Sequence, residues 1–276
     1  MKLSFLNASE FAKTFAPTMW GYNSVDFSEL NLQKCENIHY LSFADSKIKF
    51  GLILGEIEGV LKAPFSAPFG DFLTFRKLKI SDFYEVLELL KAYAKEKEMS
   101  LEFTFPPSFY NEDHFAKMFN ALFCNNFKLS GVDLNFHMDL SSFSSDCYSK
   151  TLETKGRQKL KNALQKTGEM VICKSEYEIK EAYDIIKKNR EFRGYPLWLS
   201  LDDISKVSDI IKVHVFMLKD SKNKKGVASA FVYQITKNIS QVVYWGNLPE
   251  DNALNPTNAL AFHIGKYLSS KKVSFL

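Results

Sequence analysis

The order of predicted strands and helices constrains this chain most, because the same order occurs twice. In each half, strand-like runs rich in β-branched and aromatic residues precede a loop, a helix and a short strand. The first half contains NIHYLSFAD, KIKFGLILGEI and the helix ISDFYEVLELLKAYAKEKEM, and the second contains VHVFMLKDS, GVASAFVYQI, SQVVYWGNL and the helix NPTNALAFHIGKYLSSKK. This pattern predicts an α/β (α+β) protein with two tandem domains, each a mixed, mainly antiparallel sheet flanked by helices.

The junction of the two halves is marked by a serine-rich stretch, SSFSSDCYSK, at residues 141–150. We expect the domains to be 1–145 and 146–276. Just before this connector, SGVDLNFHMDL alternates apolar and polar residues, which predicts a half-buried strand. Its apolar face would carry Val132, Leu134, Phe136 and Met138.

The end of the second half is shorter than the end of the first. After its short strand LEFTF the first half continues with a helix and a strand, whereas VSFL ends the sequence. The repeat therefore predicts a C-terminally incomplete second domain with an exposed sheet edge. Such an edge would invite a partner or self-association. The alternative is that this domain dispenses with the tail.

Composition and charge exclude several classes of function. The net charge is +4 among 276 residues, without a strong basic–aromatic stretch, so no stable nucleic-acid complex is expected. The four cysteines do not have metal-ligand spacing, and we expect no metal. No run of about 18 apolar residues predicts a membrane span, and the N-terminal apolar stretch is too short for a signal peptide. A cytoplasmic protein is expected.

Three stretches, together with the order of elements, carry a resemblance to a known family. They are APFSAPFGDF, KGRQKLKNALQKTG and the run from VASAFVYQI through QVVYWGNLPEDNALNPTNALAFHIGKYL. The chain resembles the GNAT-fold acyltransferases of the FemAB-like (peptidyltransferase-like) group. The resemblance implies transfer of an acyl or aminoacyl group, from acyl-CoA or aminoacyl-tRNA, to an amine. An N-acyltransferase using acetyl-CoA or another acyl-CoA, acting on an amino sugar or a bacterial cell-envelope precursor, is the first expectation.

The loop that would hold the donor departs from the family pattern. CoA-binding members carry a glycine-rich loop before the helix, but here NLPEDNALNPTN has no glycine and contains Glu250 and Asp251, which would repel a pyrophosphate. Asn255 and Asn258 remain candidates for anion contact, because Asn255 and Pro256 are typical of a helix start.

A basic helix supplies the second group of donor candidates. Arg157 and Lys161 lie one helical turn apart and would face the same way. We expect this pair to bind phosphate groups of the donor. The alternative is an ordinary solvated helix face.

The family resemblance implies that the donor carbonyl lies where two central strands splay apart, so that backbone N–H groups there can stabilise an oxyanion. Tyr244 and Trp245 end such a strand. Tyr244 is the candidate to protonate the leaving group, and Trp245 is a candidate pocket wall. Packing in the core is the alternative for both.

Two further stretches have the composition of recognition loops. NREFRGYPLWLS combines Arg190, Arg193, Tyr195 and Trp198 with a glycine and a proline, and it predicts substrate contact by Arg193, Tyr195 and Trp198. The alternative is a helix corner anchored by Trp198.

In APFSAPFGDF, an apolar wall is expected along the cleft between the two halves. The residues that would form it are Phe65, Phe69 and Phe72. The alternative is a buried hydrophobic corner. Asp71 and Glu56 are candidates for the base that deprotonates the amine.

Two competing functions remain. One is a non-catalytic or degenerate GNAT-fold binding protein, which the altered donor loop and the abrupt end favour. The other is an aminoacyl-tRNA-dependent FemAB-like transferase, which the basic helix favours. Such enzymes often carry a helical coiled-coil arm, and no charged heptad run predicts one here.

Overall fold

Nine strands and nine helices follow one another in a computed structural model that describes residues 1–276. The chain divides into two units, Met1–Asn135 and Phe136–Leu276. Each unit contains one sheet flanked by helices, so the expected mixed α/β class is confirmed. None of the helices combines the length and the apolar character that a membrane span requires.

The first unit has a five-stranded sheet in the order β1-β2-β3-β4-β5. The first four strands pair antiparallel in succession, and β5 pairs parallel with β4. The strands are β1 Lys2–Leu6, β2 Asn37–Ala44, β3 Ile48–Ile57, β4 Val60–Ala63 and β5 Ser100–Phe103. The helices are α1 Ala8–Phe15, α2 Val25–Leu30, α3 Ile80–Glu96 and α4 Glu112–Cys124.

The helical periodicity seen in the sequence explains how α3 packs. Its buried residues include Phe83, Val86 and Leu87, all at most 1% exposed, and they face the core side of the sheet. The Phe50 ring lies edge-on to Phe83, with ring centroids 5.3 Å apart. The apolar stripe predicted for this helix is therefore confirmed.

The second unit has a four-stranded antiparallel sheet in the order β6-β7-β8-β9. The strands are β6 Thr167–Ile172, β7 Val213–Asp220, β8 Gly226–Gln234 and β9 Ser240–Asn247. The helices are α5 Ser145–Thr151, α6 Thr154–Lys166, α7 Glu176–Arg193, α8 Leu201–Ser208 and α9 Pro256–Ser270. Two apolar clusters cover the sheet, one formed with α6 and α9 and the other with α7 and α8. The predicted meander of β7, β8 and β9 is confirmed.

The half-buried strand predicted for residues 130–140 is wrong. Val132, Leu134 and Phe136 are 78%, 87% and 88% exposed, and the segment forms no strand beyond an isolated bridge at Asp139. The alternating pattern is present, but over residues 130–137 no neighbouring segment supplies the ladder of hydrogen bonds that a strand needs.

The division between the units comes earlier than the expected boundary after residue 145. Met138 donates its backbone N–H to Leu276 (2.8 Å) and Leu140 donates to Ser274 (2.7 Å). Leu140 is 1% exposed within the core that includes α9. These contacts explain why residues 136–145 belong to the second unit, although their composition resembles a connector.

The last residues of the chain lie between two other segments. Phe275 bridges Ile239 in parallel on one side and Asp139 in antiparallel on the other. Residues 138–140 of the same chain therefore cover one side of the C-terminal residues. A partner or self-association at an exposed sheet edge stays a prediction.

Candidate functional site

The outer edge of β9 is open over most of its length. On one side β9 pairs with β8 from Ser240 to Asn247. On the other side, Ser240 donates its N–H to Phe275 (2.9 Å), and no strand pairs with β9 beyond that residue. The one parallel contact of β9 therefore lies at the start of the strand, and no other segment pairs with its outer edge beyond Ser240. The expected splay of two central strands stays a prediction.

A bulge in β9 lies along the open edge. Phe231 pairs with Tyr244 and Val232 pairs with Val242, so Val243 is the extra residue. Beyond the bulge, Leu248 donates its N–H to Val227 across the ladder (3.0 Å). Because antiparallel ladders alternate, the backbone N–H of Trp245 points away from β8. That N–H is a backbone donor at the open edge, beside an indole side chain that is 46% exposed.

Asn247 fixes the end of β9 and the loop that follows. Its backbone carbonyl accepts a hydrogen bond from Nδ2 of Asn189 (2.8 Å), and its own Nδ2 donates to Oδ1 of Asn252 (2.8 Å). Thr257 donates its hydroxyl to Oδ1 of Asn247 (3.0 Å). Side chains from α7, the loop and α9 therefore converge on one buried amide, which holds the open edge in place.

The start of α9 agrees with the predicted helix boundary, but its cap differs. Asn255 precedes Pro256 with φ +50°, in the left-handed region, and its side chain makes no capping hydrogen bond. The loop is acidic, and burial together with the charge of Glu250 raises the pKa of Asp251. Only Lys225, 3.7 Å from Glu250, pairs with these carboxylates. Asn258 lies in the first turn of α9, so the expected anion contacts of Asn255 and Asn258 stay predictions.

The structure brings Arg157 and Lys161 together on α6. They line an open pocket of about 470 Å³ with residues of α5 and with Phe262 of α9. Arg157 donates from Nη2 to the hydroxyl of Thr154 (3.2 Å), and one carboxylate, Asp146, also lines the pocket. The helix carries five cationic and no acidic residues, which gives this surface a positive charge. Neither Asn255 nor Asn258 lines this pocket.

Tyr244 and the loop after α7, predicted separately, meet in the second unit. The Tyr244 hydroxyl accepts a hydrogen bond from the Leu199 N–H (3.3 Å), and the Tyr183 hydroxyl donates to the Leu199 carbonyl (3.0 Å). The Arg190 guanidinium lies 5.1 Å from the Tyr244 ring centroid and 5.9 Å from that of Tyr195. Tyr244 itself is 7% exposed, so its ring packs while its hydroxyl holds the loop.

The remaining residues of that loop point into solvent. Gly194, with φ +71°, ends α7 in the left-handed conformation that glycine favours. Tyr195 is 57% exposed, Trp198 is 80% exposed, and Arg193 is exposed. Trp198 therefore does not anchor a helix corner. Substrate contact by these three residues stays a prediction.

Tyr233 is a candidate functional residue near Tyr244 that the sequence analysis did not identify. It is 2% exposed and its hydroxyl has no hydrogen-bond partner. Burial, and then the charges of Tyr244 and Asp203, raise its pKa. The alternation of β8 could have found it, because Tyr233 lies on the same face of the strand as Phe231, which pairs with Tyr244.

The loop APFSAPFGDF is a structural part of the first unit. Phe69 (7% exposed) packs against Tyr22 and Tyr110, and Phe72 (3% exposed) packs against Phe50. For these two residues the structure has the buried corner and not an exposed wall. Phe65 covers Gly55 so closely that any larger residue there would collide with its ring. Phe65 also lines a cavity of about 20 Å³, the size of one water.

Both carboxylates that the sequence offered as a base are paired with histidines of the first unit. His114 Nε2 lies 3.0 Å from Oδ1 of Asp71, and His39 Nε2 lies 3.0 Å from Oε2 of Glu56. Burial outweighs the bond from His114 and raises the pKa of Asp71. The structure contains no group of three or more histidine, cysteine or acidic residues that could hold a metal ion.

Comparisons with known proteins identify the fold. No family model matches the chain, and no curated protein matches it. The solved structure of FemX matches with a TM-score of 0.66 at 12% identity, covering 100% of this chain and 87% of FemX. L-PGS from Bacillus licheniformis matches with a TM-score of 0.58 at 12% identity, covering 97% and 73%.

A third match is the C-terminal domain (DUF2156) of a protein assigned as a lysylphosphatidylglycerol synthetase from Agrobacterium fabrum. It gives a TM-score of 0.58 at 12% identity and covers 98% of this chain and 77% of that domain. At these identities the likeness shows the fold alone. The expected resemblance is confirmed at the level of the fold: the chain has the fold of FemX and of these two other structures.

Proposed function

We propose that this protein is an N-acyltransferase whose reaction takes place at the open edge of β9. The observation that carries the proposal is the unpaired backbone N–H of Trp245, beyond the bulge at Val243, in a fold shared with FemX. A preorganised backbone donor of this kind stabilises the negative charge that develops on a carbonyl oxygen during acyl transfer.

The reaction proceeds by attack of an amine nitrogen on the donor's carbonyl carbon. The carbonyl oxygen becomes an oxyanion that accepts a hydrogen bond from the Trp245 N–H. When this intermediate collapses, the bond to the leaving group breaks. The Tyr244 hydroxyl gives its proton to the leaving atom, and the proton lost by the amine restores the phenol through solvent. The Leu199 N–H, 3.3 Å from the Tyr244 oxygen, stabilises the transient phenolate.

The donor carries phosphate groups that bind Arg157 and Lys161. A guanidinium and an ammonium one turn apart, lining a pocket of about 470 Å³, suit a phosphorylated group. Acyl-CoA is the first donor to test. Its acceptor would be the amine of an amino sugar or of a cell-envelope precursor, as the family resemblance implies.

Aminoacyl-tRNA is the second candidate donor. The acidic loop counts against CoA, because Glu250 and Asp251 precede the α9 N-terminus, where the CoA-binding members of the resembled family hold the pyrophosphate. The five cations of α6 fit a longer polyanion equally well. The name of one structural neighbour, a lysylphosphatidylglycerol synthetase, also refers to an aminoacyl group.

Binding measurements separate the two donors. The purified chain is titrated calorimetrically with acetyl-CoA and desulfo-CoA, and by filter binding with aminoacylated and deacylated tRNA. Arg157→Ala should abolish binding of the true donor. Lys159→Ala is the matched control, because Lys159 lies on the same exposed helix but does not line the pocket.

Each outcome decides between named functions. Saturable CoA binding that Arg157→Ala abolishes supports the acyl-CoA donor. Binding of aminoacylated tRNA alone, with the same dependence on Arg157, supports the second donor. A folded sample that binds neither rejects acyl transfer and leaves a non-catalytic binding protein.

A further inference from the structure

The segment Phe192–Trp198, called here the aromatic loop, exposes three large rings within seven residues. Phe192 is 67% exposed, Tyr195 57% and Trp198 80%. The surfaces of soluble proteins rarely present such clusters without an interaction partner. The proposed acyl transfer uses none of these rings, so the cluster needs its own explanation.

The aromatic loop is held in place at both ends. Tyr195 donates its N–H to the Arg190 carbonyl (2.9 Å), which continues the hydrogen bonding of α7 past Gly194. At the other end, the hydroxyls of Tyr183 and Tyr244 bond both backbone groups of Leu199. The rings are therefore directed outward by a fixed backbone.

Four cationic residues share the stretch of chain that carries these rings: Lys187, Lys188, Arg190 and Arg193, with one acidic residue, Glu191. None of the four takes part in a salt bridge within the protein. Arg190 is partly buried over the Tyr244 and Tyr195 rings, whereas the other three are exposed and their charge is available to an anionic partner.

We propose that the aromatic loop docks the protein on the surface of an anionic lipid bilayer. Tryptophan and tyrosine rings prefer the headgroup level of a membrane, and lysine and arginine beside them are attracted to anionic headgroups. Rings exposed to this degree are accessible to a flat bilayer surface. Single-stranded nucleic acid binds instead in a basic groove. The proposal is independent of acyl transfer, because docking requires no donor.

Co-sedimentation with lipid vesicles tests the proposal. The chain is mixed with phosphatidylcholine vesicles and with mixed phosphatidylcholine–phosphatidylglycerol vesicles. The double variant Tyr195→Ser, Trp198→Ser should bind the mixed vesicles at least about tenfold more weakly. Arg193→Glu should weaken binding to the mixed vesicles by about fivefold or more, and raised salt should have the same effect.

Tyr177→Ser is the matched control, because Tyr177 is 77% exposed at the opposite end of α7. It should bind vesicles as the wild type does. Circular dichroism and thermal unfolding establish that every variant folds, as expected for changes at exposed side chains.

Three results would overturn the proposal. The wild type would fail to sediment with the mixed vesicles, or the double variant would bind them as tightly as the wild type. In the third case, Trp198 would be required for binding a polyuridine RNA or for forming dimers in solution, with no binding to vesicles. That result would assign the loop to nucleic acid or to a second copy of the chain.

Discussion

A parallel strand pairing occurs at the corresponding place in both units, but it extends over four residues in the first and consists of one bridge in the second. In the first unit β4 and β5 pair over all four residues of each, and Thr104 extends the ladder by donating to Ala63 (2.9 Å). In the second unit the corresponding contact is a single bridge between Ile239 and Phe275, and no other segment of the structure pairs with the outer edge of β9 beyond Ser240. The backbone groups along that edge therefore have no ladder partner within the structure.

The loops that follow these strands also differ between the units, in how far their residues are buried. In the first unit the loop between β4 and α3 buries Phe69 and Phe72 against the sheet and neighbouring aromatic rings. In the second unit the loop between β9 and α9 buries none of its residues Pro249–Leu254. The comparison indicates that the aromatic residues of this loop stabilise the first unit, while the corresponding loop of the second unit leaves a strand edge accessible.

The largest expected effect on stability comes from truncating a buried ring in the loop between β4 and α3. Phe72→Ala should lower the free energy of unfolding by about 3–5 kcal/mol, because it removes a buried ring and leaves a cavity. Trp245→Ala, at the open edge, should cost less than about 1 kcal/mol, since the indole is half exposed. Urea unfolding at neutral pH measures both. Similar losses in the two variants would contradict the contrast between the loops.

Removing the proposed oxyanion donor should affect activity and leave stability nearly unchanged. Trp245→Pro deletes the backbone N–H and should lower kcat by about 100-fold or more. Because that N–H has no ladder partner at the edge of β9, the sheet should tolerate the proline. Trp245→Ala, which keeps the N–H, should lose far less rate. Equal losses of kcat in the two variants would assign the effect to the indole and reject the backbone donor.

The two tyrosines that hold Leu199 form a pair of matched variants. Tyr183→Phe and Tyr244→Phe each remove one hydroxyl and one hydrogen bond, at a cost of about 1 kcal/mol in stability. Only Tyr244→Phe should also lower kcat, by about 100-fold, if its hydroxyl protonates the leaving group. Single-turnover rates with whichever donor the binding measurements select would measure this. Equal kinetic effects would reduce Tyr244 to a residue that positions the loop.

Local sequence patterns predicted most helices and strands correctly, but they could not predict which strands pair with each other. The apolar stripe of α3 and the meander of β7 to β9 depend on residues close in sequence, so their periodicity was sufficient. The exposed segment around Val132 has the same alternation as a strand, but nothing local reveals that no neighbour pairs with it. Likewise, Tyr233 and Tyr244 are neighbours because of the register between β8 and β9, which the local sequence does not reveal.

The smallest expected effect is on the pH dependence of stability, and it too differs between the two units. His39 and His114 of the first unit bond to carboxylates. His214 and His263 of the second unit are buried or half-buried near lysines and have no carboxylate partner, and His214 also bonds to the side chain of Gln234. Burial first, and then the charges of Lys212 for His214 and Lys266 for His263, lower the pKa of both imidazoles. The neutral rings are therefore favoured in the folded state.

A lowered pKa means that this stability is complete above the unfolded value near 6.5 and is lost as the pH falls through the folded value. Each histidine can contribute a slope of at most about 1.4 kcal/mol per pH unit. In the double variant His214→Phe, His263→Phe, unfolding followed by Trp198 and Trp245 fluorescence should depend less on pH below neutrality.

The phenylalanine replacements retain the ring packing of His214 against Phe216 and Tyr267, so a change in slope reports the lost protonation and not a repacked core. An unchanged slope in the double variant would mean that the acid sensitivity of the second unit comes from its carboxylates. The contrast in histidine environments would then have no effect on stability.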